Sequence, residues 1–402
     1  MARTKIVATI GPATKDKKTI RKIIRLGVDV FRLNFSHGTQ EEHAEYIRKI
    51  REISEDKPIM ILGDLCGPKL RCGEITGGQV VLKPGKEFVL TTRKISGSVK
   101  EVSINYKQLP QDVKPGETIF LDDGNIEMEV LQTGKTDVRC RILSGGPLSS
   151  HKGINLPATD LSIPALTRYD REMVRFGVKH EVDCFALSFV KNAKDIQKCK
   201  RAVVEAGADI PVIAKIEKHE AVKNLEDIIN EADGAMVARG DLGIEIPLQD
   251  VPFAQKKIIR MCNEKGKPVI TATQMLESMI GKSRPTRAEV ADIANAIIDG
   301  TDAVMLSGET AVGNYPTVAV HIMDTVAKST EKNLDYNAVL SERTLAEAGS
   351  VPDSISLATS HIAHSLDVDA ILCCSASGYT ARFVARYRPV CPILVFTLDR
   401  KI

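Results

Sequence analysis

Short β-branched apolar runs alternate with amphipathic stretches along most of this chain, and that beat constrains the fold more than any other feature. Thr4 to Ile10 reads as a strand, followed by a helix over KKTIRKIIRLG with Ile20, Ile23 and Ile24 on one face and Gly27 as its stop. Val28 to Phe35 is a second strand, with a helix from about Gln40 to Ile53, and Pro58 to Asp64 is a third. After an interruption the pattern resumes with CFALSF, PVIAKIE, DGAMVARG, PVITATQ and DAVMLSG, each leading into a helical stretch, the last from Thr317 to about Leu334. Nearly continuous apolar strands are those of a parallel sheet covered on both faces. Eight strands with eight crossovers predict an α/β fold of the (β/α)8 TIM-barrel type. An open doubly wound sheet is the runner-up, but it would favour a G-x-G-x-x-G turn after its first strand, where this chain has Gly11-Pro12-Ala13-Thr14.

The interruption runs from about Gly67 to Asp160. It is rich in Gly, Pro and Lys, with turn signals at Lys83-Pro84-Gly85 and Lys114-Pro115-Gly116. Period-two alternation over Ile126 to Val130 and Val138 to Ile142 predicts an all-β insertion. The expected domains are therefore a barrel over residues 1–66 and 161–334, an inserted β domain over 67–160, and a partial α/β domain over 335–402. In that last region a helix (about Ser354 to Leu366), a strand (Ala370 to Cys374), a short helix and a strand (Ile393 to Thr397) make an incomplete layer. Cys373 and Cys374 are expected to pack inside it.

Composition narrows the function. Lys+Arg number 55 against Asp+Glu 52, aromatics are only 4%, and Trp is absent, so the chain lacks the basic, stacking surface that nucleic-acid binding requires. Nine cysteines without a C-x-x-C pair predict free thiols in a reducing cytoplasm rather than disulfides or structural zinc. No apolar stretch approaches the length of a membrane span.

Catalytic groups of such barrels project from the carboxyl ends of the strands. Here strand two ends with Arg32, Asn34, Ser36 and His37, three with Asp64, and four with Ser188. Five ends with Lys215 and Glu217, six with Arg239 and Asp241, seven with Thr273 and Gln274, eight with Ser307 and Glu309. Seven successive strands ending in polar groups predict one polar mouth. Glu217 and Asp241 lie on neighbouring strands, and two carboxylates in a cavity repel unless a cation separates them. Hard oxygen donors without Cys or clustered His favour Mg²⁺ or Mn²⁺. Lys215 points to the same side of its strand as Glu217, an arrangement suited to a phosphate- or enolate-bearing substrate. Arg32 offers bidentate phosphate recognition, and the glycines of Arg239 to Gly243 let backbone N–H groups approach an anion.

Six segments taken together resemble the pyruvate kinase family: RLNFSHG (32–38), KIE (215–217), MVARGDLG (236–243), TATQMLESM (271–279), SRPTR (283–287) and LSGET (306–310). The resemblance implies a catalytic barrel, a lid formed by the inserted domain, and a C-terminal regulatory domain of which about half is absent. It implies Mg²⁺-dependent phosphoryl transfer between phosphoenolpyruvate and ADP, giving pyruvate and ATP, the last step of glycolysis, in a homotetramer. Glu217 and Asp241 would hold the metal, while Lys215 and Arg32 would meet the phosphoryl group. Gly240, Asp241 and Thr273 would hold the pyruvate end, and Asn34, Phe35, Ser36, His37, Arg71 and Lys152 would face the nucleotide. Ser375 to Thr380 resembles the start of a loop for a phosphorylated effector. K⁺-dependent members would place their ion near Asn34, Ser36, Asp64 and residue 65. Here Leu65 replaces Thr and Lys69 replaces Glu, so Lys69 is expected to substitute for K⁺. Two rival readings are a metal–enolate lyase or aldolase on the same barrel and a non-catalytic sensor. The insertion with Arg71 and Lys152 counts against the first, and the complete Lys215, Glu217 and Asp241 set against the second.

Overall fold

The structure is a computed structural model and describes residues 2–398 apart from 55–56, 158 and 345–349. Eight parallel strands close on themselves: β1 (Lys5–Thr9), β2 (Val28–Asn34), β3 (Met60–Leu65), β4 (Cys184–Leu187), β5 (Val212–Ile216), β6 (Gly234–Ala238), β7 (Val269–Ala272) and β8 (Ala303–Leu306). Each pairs with its sequence neighbour and β8 pairs with β1, so the expected TIM barrel is present.

Alternation along the strands sends one set of side chains into the barrel and the other towards the helices. Val7, Leu62, Ala186, Met236, Ile270 and Met305 fill the interior, while Phe31, Leu33, Ile61, Leu65, Phe185 and Val237 pack outward. Capping boxes start three of the outer helices. Thr39 with Glu42 opens Gln40–Ile53, Thr167 with Asp170 opens Arg168–Lys179, and Thr286 with Glu289 opens Arg287–Ile298. Thr39 follows the Asn34–Gly38 turn directly, so the cap also fixes that turn at the barrel mouth.

Between β3 and the helix at Arg168 the chain builds a separate core, from Leu70 to Leu161. A six-stranded sheet supplies most of it, in the order Ile154–Asn155, Thr118–Leu121, Ile126–Thr133, Asp137–Ser144, Glu87–Thr91, Glu101–Ser103. Gly146–Ser149 pairs antiparallel with Gln79–Leu82 beside it. The C-terminal region carries helix Val351–Ser365, helix Tyr379–Arg386 and two parallel strands, Ile371–Cys374 and Ile393–Phe396. Cys373 is buried there, but Cys374 is exposed, because consecutive strand residues face opposite sides and the outer side of this small sheet is uncovered. Among the described residues no helix is long and apolar enough to cross a membrane.

Candidate active site

The carboxyl ends of the strands converge on a buried charge cluster. Asp64, at the end of β3, accepts a hydrogen bond of 2.6 Å from Arg32 Nε of β2. Lys215 Nζ on β5 lies 3.5 Å from Asp64 Oδ1, 3.1 Å from Glu217 Oε2, and donates to Ser188 Oγ at 2.7 Å. Arg32, Asp64 and Lys215 thus share one side of three strands, as alternation from a common register requires. Burial raises the Asp64 carboxyl, but Lys215 and Arg32 outweigh it and hold the group below the usual carboxylate range. Burial also works against the Lys215 ammonium, yet Asp64, Glu217 and Asp241 keep it firmly protonated. This is a fixed positive charge, not a titrating base.

Glu217 is held differently. Phe189 N–H donates to its Oε1 at 2.7 Å, while among the described residues the buried Oε2 is approached only by the Lys215 ammonium at 3.1 Å, without an aligned hydrogen bond. Burial, with the charge of Asp241 added, pushes its carboxyl well above the ordinary range despite Lys215. Asp241 is exposed in the adjoining cavity of about 780 Å³, which Arg239, Gly240, Gln274 and the insertion's Phe120, Asp123 and Glu127 also line. A buried carboxylate oxygen with no aligned hydrogen bond, within electrostatic reach of a second, open carboxylate, fits a hard divalent cation.

A second positive group gathers on the insertion side. Lys69 is half-buried, and its ammonium is depressed by burial and by Arg71 and Lys215, with Cys66 and Asp64 opposing. Burial and the charges of Lys69, Arg71 and Arg32 together lower the His37 imidazole, which places these four groups within electrostatic reach of one another. Lys152 belongs to the insertion's wall and pairs with Asp122 at 2.7 Å. Arg71 donates to the His151 carbonyl at 2.9 Å.

Three expected contacts are corrected. Phe35 is buried, its ring stacking edge-on against His43 and Phe176 in the outer core, while its N–H and carbonyl bond to Asp64 O and Tyr169 Oη. It is a core residue, because it points opposite to Asn34 and Ser36. Leu65 is likewise fully buried in the outer core, so its side chain lines no ion pocket. Gly240 N–H is taken by Thr273 Oγ1 at 2.8 Å rather than left open for an anion. The predicted polar mouth is also smaller than expected. Glu309 is buried and accepts from the backbone N–H groups of Leu276 and Ser307, which makes it a pin for the loops after β7 and β8. Arg239 is buried too, donating to the Thr273 carbonyl at 2.7 Å and pairing with Asp292.

Two positioning groups, Asn105 and Asp170, had no signal in the sequence, and Asn34 has a local role beside the one expected of it. Asn105, far along the insertion, donates to the Lys69 carbonyl at 2.9 Å and accepts from Arg71 N–H at 2.8 Å, fixing the segment that carries both cations. Asp170 accepts from Gly67 N–H at 3.2 Å at the point where the chain leaves the barrel. Asn34 keeps its own loop in shape, its Oδ1 accepting from Ser36 N–H at 3.2 Å.

Comparison with known proteins agrees with this architecture. A family profile described as pyruvate kinase, barrel domain, matches residues 1–320, and one described as pyruvate kinase, alpha/beta domain, matches residues 353–402. Pyruvate kinase 2 of Synechocystis is 49% identical over 401 residues, covering 98% of this chain and 67% of that protein. Pyruvate kinase of Thermococcus litoralis is 45% identical over 406 residues, covering 100% of this chain and 86% of its own. The crystal structure of a pyruvate kinase from Cryptosporidium parvum superposes with a TM-score of 0.96 at 38% identity, over 100% of this chain and 84% of the other. With the barrel profile matching residues 1–320 and relatives at 45–49% identity over nearly all of its length, the chain belongs to the pyruvate kinase family.

Proposed function

We propose that this mouth transfers the phosphoryl group of phosphoenolpyruvate to ADP, releasing pyruvate and ATP. The observation that carries the reading is Lys215, a permanently protonated ammonium fixed between Asp64, Ser188 and Glu217. Phosphoryl transfer asks a protein for positioning and charge stabilisation more than for covalent chemistry, and a clamped cation supplies both. Arg32 Nε is committed to Asp64 and Nη1 donates to Thr9 Oγ1 at 3.1 Å, which leaves Nη2 to meet an incoming phosphoryl oxygen. Glu217 and Asp241 are the residues suited to hold Mg²⁺ or Mn²⁺, which when bound would neutralise phosphoryl charge. Thr273 and Asp241 flank the pyruvate end, while Asn34, Ser36, His37, Arg71 and Lys152 face the nucleotide. Phosphoenolpyruvate binding that survives Lys215→Met while turnover collapses would support these assignments; unchanged turnover would refute them.

The same site is read as independent of K⁺. Asp64, the acidic group of the expected ion pocket, is already met by Arg32 and Lys215, and Lys69 turns inward within reach of its charge. A protein-borne cation is pre-positioned, with no ion-binding equilibrium to satisfy. Assays in buffer free of K⁺ and NH₄⁺ test this. Full activity is expected, with Lys69→Glu becoming K⁺-dependent or nearly inactive, whereas about tenfold activation of the unaltered chain by K⁺ would overturn the reading. A homotetramer in the cytoplasm remains the expected setting, and the free cysteines suit a reducing compartment. The turn before helix Tyr379–Arg386, with Gly378 in the left-handed region at φ 70°, is the expected seat of a phosphorylated effector.

A further inference from the structure

Behind the catalytic cluster, on the outer side of the loop that follows β5, lies a second group of titratable side chains. Asp160, His219 and Glu220 each bring one ligand atom to within 4.8 Å of the others. His219 Nδ1 lies 3.1 Å from Glu220 Oε2 and 3.4 Å from Glu245 Oε2, and its Nε2 lies 3.6 Å from Asp160 Oδ1. Donors around a tetrahedral zinc ion with ligand distances near 2.1 Å stand about 3.4 Å apart. Glu220 and Glu245 flank Nδ1 at about that spacing, while Asp160 flanks Nε2. An ion would take one ring nitrogen and draw in the carboxylate on the far side, whose ligand atom lies within 4.8 Å of the others.

Two independent features point to a cation rather than to an ordinary ion network. Glu220 is only 7% exposed, yet among the described residues neither of its carboxylate oxygens has a hydrogen-bond partner, and its Oε2 lies against the cluster's imidazole. Buried carboxylates left so are costly unless an ion or a donor completes them. The charges are also unbalanced. Asp160, Glu220 and Glu245 are three carboxylates, and the one ammonium bonded among them is Lys218, 2.7 Å from Glu245 Oε1. With the imidazole neutral, as a metal ligand must be, a divalent ion removes the excess of two negative charges.

We propose that Asp160, His219 and Glu220, backed by Glu245, form a second metal site for a first-row divalent ion that accepts mixed nitrogen and oxygen ligands, zinc above all. The imidazole selects such an ion over Mg²⁺, which prefers an all-oxygen shell. Glu217 faces the other way, towards Lys215 and Phe189 N–H, so the two sites use different residues. Asp160 sits on the strand of chain returning from the insertion, just after Thr159, whose hydroxyl donates to Glu117 at 2.8 Å. An ion held here ties that returning segment to the loop carrying Glu217, and so couples the insertion's position to the barrel mouth. The site stands on its own geometry and does not depend on the reaction assigned above.

The test is zinc uptake by the intact chain, followed by equilibrium dialysis and metal analysis in the presence of saturating Mg²⁺. One zinc ion per chain is expected, retained by Asp241→Ala and weakened by about 10- to 100-fold or more in His219→Gln, Glu220→Gln and Asp160→Asn. Asp160 is a surface residue with its side chain 87% exposed, so Asp160→Asn keeps the test sound even if a buried substitution impairs folding. X-ray absorption of the bound zinc should show nitrogen and oxygen neighbours without sulfur. No uptake beyond the Mg²⁺ site, uptake lost only with Asp241→Ala, or uptake unchanged in all three variants with sulfur in the shell (thiol binding at exposed Cys374) would each overturn the proposal.

Discussion

Asp64 is where the individual side chains of the mouth become interdependent. It is the carboxylate that two cations share, so its neutralisation leaves the buried Arg32 without its carboxylate partner and Lys215 with Glu217 alone. Breaking a buried pair in this way costs about 3–5 kcal/mol. Asp64→Asn should lower stability by that order in urea unfolding, and kinetics should show impaired turnover in whatever folds. The pH dependence follows from the depressed carboxyl. Its contribution is complete above the ordinary carboxylate range and is lost as pH falls through its lower native value, so the unaltered chain should outlast the Asn variant most clearly near neutrality. Lys215→Met removes the fixed charge itself, and turnover should fall by about 10²- to 10³-fold with phosphoenolpyruvate binding intact. Arg32, Asp64 and Lys215 were legible in sequence because strand alternation dictates which residues look inward, and Glu217 and Asp241 because they closely follow neighbouring strands. Phe35 was misread for the same physical reason: it belongs to a conspicuous motif but stands one residue out of phase with the inward set. Asn105 and Asp170 gave no signal, since their partners lie far away in the chain.

Loops after the strands carry the precision. Thr273 and Gln274 both adopt left-handed backbone, at φ 66° and 55°, a conformation that persists only where the surroundings impose it. Arg239 imposes it here: its guanidinium donates to the carbonyls of Thr273 and Gln274 and pairs with Asp292. Arg239→Lys cannot reproduce that fork. It should lower kcat by about 10²-fold through a misplaced Thr273, with far less change in global unfolding. At the exit to the insertion, Gly67 adopts φ +65°, and a Cβ there would stand 2.6 Å from the Phe189 ring. Since Phe189 N–H holds Glu217, Gly67→Ala should disturb the metal carboxylate as well as destabilise the chain by about 1–3 kcal/mol, measurable as weakened Mg²⁺ binding in calorimetry. The helices and strands themselves were readable from their periods of 3.6 and 2. These loop conformations were not, because a left-handed Thr or Gln leaves no trace in composition.

The molecule as a whole divides its cores among barrel, insertion and C-terminal layer, and the charged mouth forms where barrel and insertion meet. The barrel was visible in sequence because each βα unit is local and repeats. The strand order of the insertion was not, since its sheet joins Ile154–Asn155 to Thr118–Leu121 across more than thirty residues and depends on distant register. The C-terminal layer is anchored to the barrel by Arg388, which reaches Asp302 at 2.6 Å and the Gly300 carbonyl at 2.8 Å, and by Arg3, which donates to the Pro389 carbonyl at 2.9 Å. The most direct test of the whole account is pyruvate release from phosphoenolpyruvate and ADP, followed through a coupled dehydrogenase with Mg²⁺ present. ADP-dependent turnover of about 1–100 s⁻¹, abolished by EDTA and restored by Mg²⁺, is the predicted result. Pyruvate formed equally well without ADP, or undiminished in chelator, would contradict a metal-assisted phosphoryl transfer at this mouth.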